Sequence, residues 1–318
     1  MRAVSTDNNR LYESMGDKVL RYVTLLMAIL VVILMIWIGW QMFSSSQESI
    51  QHFGWAFITS RVWDPVHHIF GALPFIYGTI VTSVVALIIA APIGISVAIF
   101  LNEMAPSTIR KVVAFLVELL AAIPSVVYGL WGIFVLAPVL RQSVEPWLTK
   151  WFGFIPWFKG APVGFDMFGG GIILAIMILP TITSISREVM AAVPTAHREA
   201  ALALGATKWE MIRLSVLSYS KSGILGSIML GLGRALGETM AVTMVIGNMP
   251  KISSSLFSSA YSMAAVIANE FTEATYSLYL SSCIEIGLIL FGITLLLNIF
   301  ARLLVWSVAR GPKGGHLV

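Results

Sequence analysis

The sequence has few charged residues and a single cysteine. Of its 318 residues, 11% are charged and 58% are hydrophobic, whereas soluble globular proteins carry about 25% charged residues. So few polar groups cannot cover a water-exposed surface, which excludes a soluble enzyme, a disordered chain and a coiled coil. The lone Cys283 excludes an intrachain disulfide and a thiolate metal cluster. The class that remains is an integral membrane protein.

The sequence also lacks recognisable sites for nucleotides and metals. It contains no Walker A motif, and the glycine-rich segment 231–237 has neither the GxGxxG spacing nor a preceding strand. His67 and His68 have no third ligand at a suitable spacing, so we interpret them as a loop pair. The net charge of +4 fits basic loops at a membrane better than nucleic acid. We therefore expect no catalytic residue, metal, cofactor or nucleic acid in this chain.

Six continuous apolar runs are long enough to cross a bilayer as helices. A hydrocarbon core of about 30 Å requires roughly 20 apolar residues, and barrel strands of about 10 alternating residues do not fit these runs. An all-α integral membrane fold with six transmembrane helices is predicted. The runs cover residues 22–42, 73–101, 112–140, 167–186, 222–247 and 278–301.

The basic residues predict the orientation. With the N-terminus inside, the inner segments hold 14 of the 20 Lys and Arg residues and the outer segments hold 5. Cytoplasmic loops collect basic residues, so both termini are expected in the cytoplasm. The domain prediction is a cytoplasmic segment at 1–21, a transmembrane domain at 22–308 and a cytoplasmic tail at 309–318.

The inner loop between the fourth and fifth runs, residues 194–218, is predicted to form two helices joined by a sharp turn. Residues 196–204 favour a helix. Gly205 suits the left-handed position that ends such a helix, and Thr207 with Glu210 makes a capping box for a second one. We call residues 194–218 the elbow. By helix physics alone, an ordinary hairpin on the membrane surface fits equally well.

The elbow resembles the EAA loop of the permeases of binding-protein-dependent ABC importers. The matching residues are Glu199, Ala200, Ala201 and Gly205. The pattern usually closes with Leu-Pro, and here Leu217-Ser218 stands in its place. The resemblance implies the type I, MetI-like permease fold and an elbow that docks into a groove on a cytoplasmic ATPase subunit.

Longer motifs resemble the permeases of phosphate ABC importers in particular, over about residues 50–305. The motifs are LLAAIPSVVYG at 119–129, IMLGLGRALGETMAVT at 228–243, ANEF at 268–271 and EIGLILF at 285–291. This resemblance implies a bacterial inner-membrane subunit that imports inorganic phosphate. The implied partners are a second phosphate permease, a dimer of ATPase subunits that binds ATP and Mg, and a periplasmic phosphate-binding protein.

Four ionisable residues fall within the predicted spans, where charge is costly and usually functional. Arg234 lies about 18 Å along the fifth run, with Glu238 one turn further on and Glu285 expected at a similar depth. Glu118 is expected near the inner boundary of the third run. The resemblance places Arg234, Glu238 and Glu285 on the translocation path. We expect the two carboxylates to hold Arg234 when substrate is absent. The structural alternative is a buried ion pair that only fixes helix packing.

Three other functions stay open at this point. The nearest is an ABC permease for another oxyanion, such as sulfate or molybdate. A secondary transporter or channel needing no ATPase is more distant, and the elbow argues against it. A signalling scaffold without transport is the third.

Overall fold

The computed structural model describes residues 15–309, and this part of the chain is helical, with two isolated β-bridges and no strand. The α-helices are α1 (Met15–Ser45), α2 (Gln47–Phe53), α3 (Ala56–Thr59), α4 (Leu73–Ile99), α5 (Ser107–Ala122), α6 (Ser125–Trp131), α7 (Ala137–Val139), α8 (Glu145–Phe152), α9 (Met167–Ala191), α10 (Thr195–Ala203), α11 (Lys208–Met211), α12 (Ser218–Gly237), α13 (Met240–Val245), α14 (Met263–Glu270) and α15 (Ser277–Ala309). Wider π-helical turns occupy Phe100–Met104, Gly132–Leu136, Leu140–Val144 and Ile212–Leu217, and Pro156–Phe158 is a 3₁₀ turn.

Five helical segments are long and apolar enough to cross a membrane, which makes the chain a multi-pass membrane protein. They are Gly16–Ser45, Leu73–Met104, Ser125–Phe152, Met167–Ala191 and Ser277–Val308. The predicted fifth run is not among them. Its main helix, α12, is only 20 residues long and carries Lys221 and Arg234 among many glycines and serines. The count of six crossings stays a prediction.

Helix α9 forms the centre of the bundle, and it packs mainly against α4 and α12 and also against α5 and α13. Its inward side chains, such as Leu174 and Ile178, join a buried cluster with Ala86, Ala90 and Ala235. Gly171 permits the close approach of α4, because a Cβ at this position would lie 2.5 Å from Cγ1 of Val85. Small residues at helix crossings allow such contacts in membrane proteins.

Helix α1 lies at the edge of the bundle. It packs against α15 and briefly against α2, and every described residue from 16 to 38 is exposed in the single chain. An apolar helix that is exposed all round needs lipid or another subunit around it. Helix α1 is therefore expected to contact lipid or a partner chain.

The predicted third run is wrong in its bounds. The chain breaks between α5 and α6, where Ile123 is extended with ψ 129° and Pro124 follows. Proline disfavours helical geometry in the residue before it. The segment that is long and apolar enough to cross a membrane starts at Ser125 and extends to Phe152, well beyond the expected end at residue 140. Glu118 lies on α5 instead of inside a span; it is 63% exposed and pairs with Arg187 at 3.6 Å.

The predicted fifth run is also not one helix. Helix α12 ends at Gly237, Glu238 is extended with ψ 124°, and α13 starts at Met240. The Glu238 carboxylate accepts a hydrogen bond from the Ala241 backbone N–H at 3.4 Å. A carboxylate at the start of α13 is favoured by the free N–H groups and partial positive charge there. Glu238 therefore belongs to the junction between two helices.

Candidate functional site

Arg234 presents its guanidinium on the exposed side of the last turn of α12. Nη1 lies 3.5 Å from Oγ1 of Thr181 on α9, and the positive charge of Arg234 acts electrostatically on the Tyr128 hydroxyl of α6. Over residues 15–309, Arg234 makes no ion pair with a carboxylate. A guanidinium has five N–H donors, so this group retains donors for an anion.

The expected pairing of Arg234 with the two glutamates is wrong for this structure. Glu238 caps α13 instead, because the helix that was expected to carry both residues ends before it. Glu285 is only 6% exposed on α15, where its carboxyl interacts with the Ser49 hydroxyl of α2 and its Oε2 has no hydrogen-bond partner among the described residues. The structure thus brings Arg234 and Glu238 to neighbouring helix ends and places Glu285 against α2.

The surroundings of Glu285 form a polar seam between α2 and α15. The Ser49 backbone N–H donates to Oγ of Ser281 at 3.1 Å, and the Ser49 and Ser282 hydroxyls are 3.1 Å apart. The depth of Glu285 counted along its own helix could not reveal this neighbour. Ser49 of α2 and Ser281 of α15 are 232 residues apart in the sequence. Glu285 is therefore placed to stabilise a helix crossing.

Sequence reasoning missed two polar residues that interact with Arg234, Thr181 through a hydrogen bond and Tyr128 through its electrostatic effect. Tyr128 lies in the quoted motif at 119–129, and its hydroxyl donates to the Leu120 carbonyl at 2.8 Å across the break at Pro124. Thr181 follows Pro180 within α9. The signal for Tyr128 was a polar aromatic beside a proline inside an apolar run. Thr181 had no distinguishing signal, because threonine is common in membrane helices.

The elbow has the predicted geometry of two helices around a glycine turn. Helix α10 ends before Gly205, whose φ is +85°, and α11 begins after Thr207. The Thr207 backbone N–H donates to Oε2 of Glu210 at 2.8 Å, and the Glu210 N–H donates to Oγ1 of Thr207 at 3.3 Å, which completes the capping box. The backbone hydrogen bond from Thr207 lowers the pKa of Glu210.

The motif residues of the elbow face two directions. Glu199 and Ala200 are exposed, whereas Ala201 packs against a buried cluster that includes Met190 and Met211. Apolar side chains are also exposed on this side of the molecule. They are Leu202, Leu204, Trp209 and Leu214. The elbow is thus fixed to the bundle on one side and leaves an apolar surface open on the other.

A largely buried ion pair, which sequence reasoning missed, joins the elbow to the π-turn Phe100–Met104 that follows α4. Arg198 of α10 donates to Oε1 of Glu103 through Nη2 at 2.9 Å and through Nε at 3.2 Å. The side chains are 18% and 6% exposed. Arg198 also donates to the carbonyls of Val193 and, at 2.9 Å, Met190. The two partners are 95 residues apart, so nothing in the sequence indicated the pair.

A second acidic group lies buried at the predicted outer end of α9. Asp166 caps this helix by accepting a hydrogen bond from Gly169 N–H at 2.8 Å, and Glu145 of α8 is its buried neighbour. Burial, together with the nearby Glu145 carboxyl, raises the pKa of Asp166 to about 7. Asp166 is therefore an outer carboxyl group whose pKa lies near neutral pH because of its burial.

Between residues 15 and 309 no group of three His, Cys, Asp or Glu residues is arranged to hold a metal ion. Nδ1 of His67 lies 2.7 Å from Oδ2 of Asp64 in an exposed loop pair. The buried Cys283 thiol on α15 is unpaired with any other cysteine.

Comparison with known proteins gives the family. Residues 90–310 match the family described as binding-protein-dependent transport system inner membrane component. A phosphate transport system permease protein PstC of Mesorhizobium japonicum is 47% identical over 93% of this chain and 91% of that protein. The protein of the same name from Pasteurella multocida is 44% identical over 97% of this chain and 98% of that protein.

Solved structures show the same fold at low sequence identity. The inward-facing MetNI methionine ABC transporter matches with a TM-score of 0.55 and 15% identity, over 78% of this chain and 100% of that chain. A bacterial ABC transporter involved in the import of alginate matches with a TM-score of 0.56 and 20% identity, over 92% of this chain and 98% of that chain. The fold is that of MetI-like ABC permeases, and the chain belongs to the binding-protein-dependent transport system inner membrane components and, within them, to the PstC permeases.

Proposed function

We propose that this chain is a permease subunit of an ATP-driven importer of inorganic phosphate in the bacterial inner membrane. The observation that carries the proposal is the Arg234 guanidinium, which lies exposed on α12 and makes no ion pair with a carboxylate within residues 15–309. A charged side chain within a membrane segment is costly and usually has a function. Relatives at 44–47% identity are named as phosphate transport system permeases.

Arginine suits a transient phosphate site. Its planar fork donates parallel hydrogen bonds to two oxygens of a phosphate and stays charged at all physiological pH values. The Glu238 carboxylate at the neighbouring helix end weakens the local positive potential. A single cation near an anion holds phosphate briefly and lets it leave, as a transport path requires. Glu285 is proposed to support the path indirectly, by fixing the crossing of α2 and α15.

A second permease is the proposed partner at the open side of α12. Leu230 and Arg234 are exposed there, and a Cβ at Gly233 or Gly237 would meet no atom within 4 Å. A helix of another subunit can approach such a surface closely. Two permeases around this face would enclose the path between them.

The elbow is the proposed docking site for a dimer of ATPase subunits, which bind the ATP and Mg that this chain has no motif for. Glu199 and Ala200 would contact the ATPase together with the exposed Leu204. A periplasmic phosphate-binding protein would deliver phosphate on the outer side. Closure of the ATPases would move the elbow and thereby change which side of the membrane Arg234 faces.

The experiment that tests this function is transport by the assembled complex. The chain is co-purified with a second permease, an ATPase subunit and a binding protein, and the complex is placed in liposomes. We expect labelled phosphate to enter with ATP, and excess unlabelled phosphate to compete while sulfate and molybdate do not. Competition by sulfate or molybdate would assign another oxyanion. Uptake without the ATPase subunit would assign a secondary transporter, and assembly without uptake a signalling scaffold.

A further inference from the structure

Arg198 lies at a junction of three segments of the chain. It belongs to α10 of the elbow, its carbonyl partners Met190 and Val193 lie at the end of α9, and its carboxylate partner Glu103 lies in the π-turn Phe100–Met104 that follows α4. Every hydrogen bond of this guanidinium therefore joins the elbow to the predicted inner end of a membrane helix.

The chemistry of the junction makes it stiff. The last carbonyls of a helix have no partner within the helix, and a cation is the group that satisfies them best. The fork of Arg198 meets the carbonyl of Met190 in the last turn of α9, the carbonyl of Val193 just beyond its end, and Oε1 of Glu103 at once, so that little rotational freedom is left. Lysine has one ammonium and cannot reproduce this geometry.

Neighbouring contacts hold Glu103 itself in place. Nδ2 of Asn102 donates to Oε1 of Glu103 at 2.6 Å. Arg110 at the start of α5 donates to the carbonyls of Asn102 at 3.1 Å and Ala105 at 3.3 Å. The turn after α4 is thus braced from both sides, and a displacement of Glu103 displaces the end of α4 with it.

We propose that the Arg198–Glu103 pair is the link that transmits movement of the elbow into α4. The proposal rests on the proposed function, in which ATPase closure moves the elbow. The apolar cluster of Ala98, Met190 and Ile212 also joins these segments, but an apolar contact is non-directional and permits sliding. The buried ion pair has one geometry, so α4 has to follow α10. Arg198 and Glu103 act as positioning residues and do not touch the transported anion.

The test is the number of phosphate ions imported per ATP hydrolysed by complexes in liposomes. In Glu103→Gln the amide keeps the size of the side chain and one acceptor oxygen but loses the charge. Hydrolysis is expected to continue near the wild-type rate, while import per ATP falls by about fivefold or more, the size of a typical coupling between sites. Arg198→Lys is expected to lower the same ratio. Glu118→Gln is the matched control, because the Glu118 side chain that pairs with Arg187 is 63% exposed, and its ratio is expected to equal the wild type.

A wild-type ratio in assembled Glu103→Gln and Arg198→Lys complexes would overturn the link. A proportional loss of hydrolysis and import would overturn it as well, because a residue needed only for folding lowers both.

A second readout separates this inference from the proposed function. Met104, exposed beside Glu103, is changed to cysteine in a Cys283→Ala background, and its labelling rate is measured without nucleotide and in the vanadate-trapped state. The rate is expected to change on trapping, and Glu103→Gln is expected to remove most of that change. An equal change with and without Glu103→Gln contradicts the link whatever anion is carried. Absence of phosphate import by the wild type contradicts only the proposed function.

Discussion

At the residue scale, the three charged residues of the predicted fifth and sixth runs have separate roles. Arg234 faces outward with Thr181 as its side-chain partner, Glu238 caps α13, and Glu285 lies against Ser49 of α2. The three residues were expected to form one charged cluster, but their neighbours come from α9, α13 and α2. Of the three, Arg234 alone offers unused donors to a substrate.

Arg234→Gln is expected to lower phosphate uptake at least about tenfold, because a hydrogen bond to a charged group contributes about 1.5–3 kcal/mol and 1.4 kcal/mol is tenfold. Arg234→Lys keeps the charge without the planar fork, and its phosphate uptake is expected to lie between that of the wild type and that of Arg234→Gln. Uptake in liposomes measures both. Lys251→Gln is the control, because Lys251 is exposed in a predicted outer loop and its loss leaves the path intact. Near-normal uptake by Arg234→Gln would remove Arg234 from the path.

Asp166 predicts how stability depends on pH. Its pKa is raised from 3.8 to about 7 by burial, so the folded state holds this proton more tightly than the unfolded state. The corresponding stability is fully present below about pH 4 and is lost as the pH rises through about 7. Asp166→Asn retains an oxygen acceptor for Gly169 N–H and cannot ionise. We therefore expect the thermal midpoint of Asp166→Asn to exceed that of the wild type at pH 8. The shift is about 2–4 °C for each kcal/mol gained in the free energy of unfolding.

The measurement is the thermal midpoint of the purified protein in detergent between pH 5 and pH 8. Glu210→Gln is the control for this slope. The pKa of Glu210 is lowered by its hydrogen bond from Thr207, so this residue stays ionised throughout the range. The control is expected to lower the midpoint by a similar amount at every pH. A wild-type slope in Asp166→Asn would show that Asp166 is not the titrating group.

At the scale of elements, the elbow continues directly into α12. The π-turn Ile212–Leu217 joins α11 to α12 at Ser218 without a break. The related pattern has proline at this position, and proline removes one helical hydrogen bond. With Ser218 at this position the helical backbone is continuous, so α11 and α12 form one helical segment that extends from the elbow to Arg234.

Gly205 at the turn of the elbow is required for its backbone conformation alone. Its φ is +85°, and a Cβ there would meet no atom within 4 Å. Gly205→Ala is expected to cost about 1–2 kcal/mol of local stability from the left-handed conformation, which raises the open population about 5- to 30-fold. Trypsin cleavage after the exposed Lys208 measures this opening, because proteolysis follows the open population.

Gly292→Ala is the matched control for that experiment. Gly292 lies inside α15, and a Cβ there also meets no atom within 4 Å. Cleavage after Lys208 is expected to stay at the wild-type rate in this variant. Equal cleavage rates in the two variants would show that the turn at Gly205 does not hold the elbow closed.

At the scale of the whole molecule, the local patterns predicted the elements that depend on neighbours in the sequence. The capping box of Thr207 and Glu210 and the turn at Gly205 involve residues a few positions apart, and both are confirmed. The first, second, fourth and sixth apolar runs match helical segments of sufficient length. The all-α membrane class followed from the same composition and is confirmed by the fold.

The rest depended on contacts between distant segments. Hydropathy is continuous across the apolar run at 112–140 and did not reveal the break, for which Pro124 itself was the one local signal. The Arg198–Glu103 pair and the Ser49 neighbour of Glu285 join helices that are 95 or more residues apart. One sequence contains no record of which helices meet, so the side-chain partners of the charged residues could not be predicted.

The most direct test of the proposed phosphate import is ATP-driven accumulation of labelled phosphate against a gradient in liposomes that contain the full complex. We expect accumulation with ATP and the binding protein, none with a non-hydrolysable ATP analogue, and a loss of about tenfold or more with Arg234→Gln. Phosphate that only equilibrates, or that accumulates as well with Arg234→Gln as with the wild type, would contradict it.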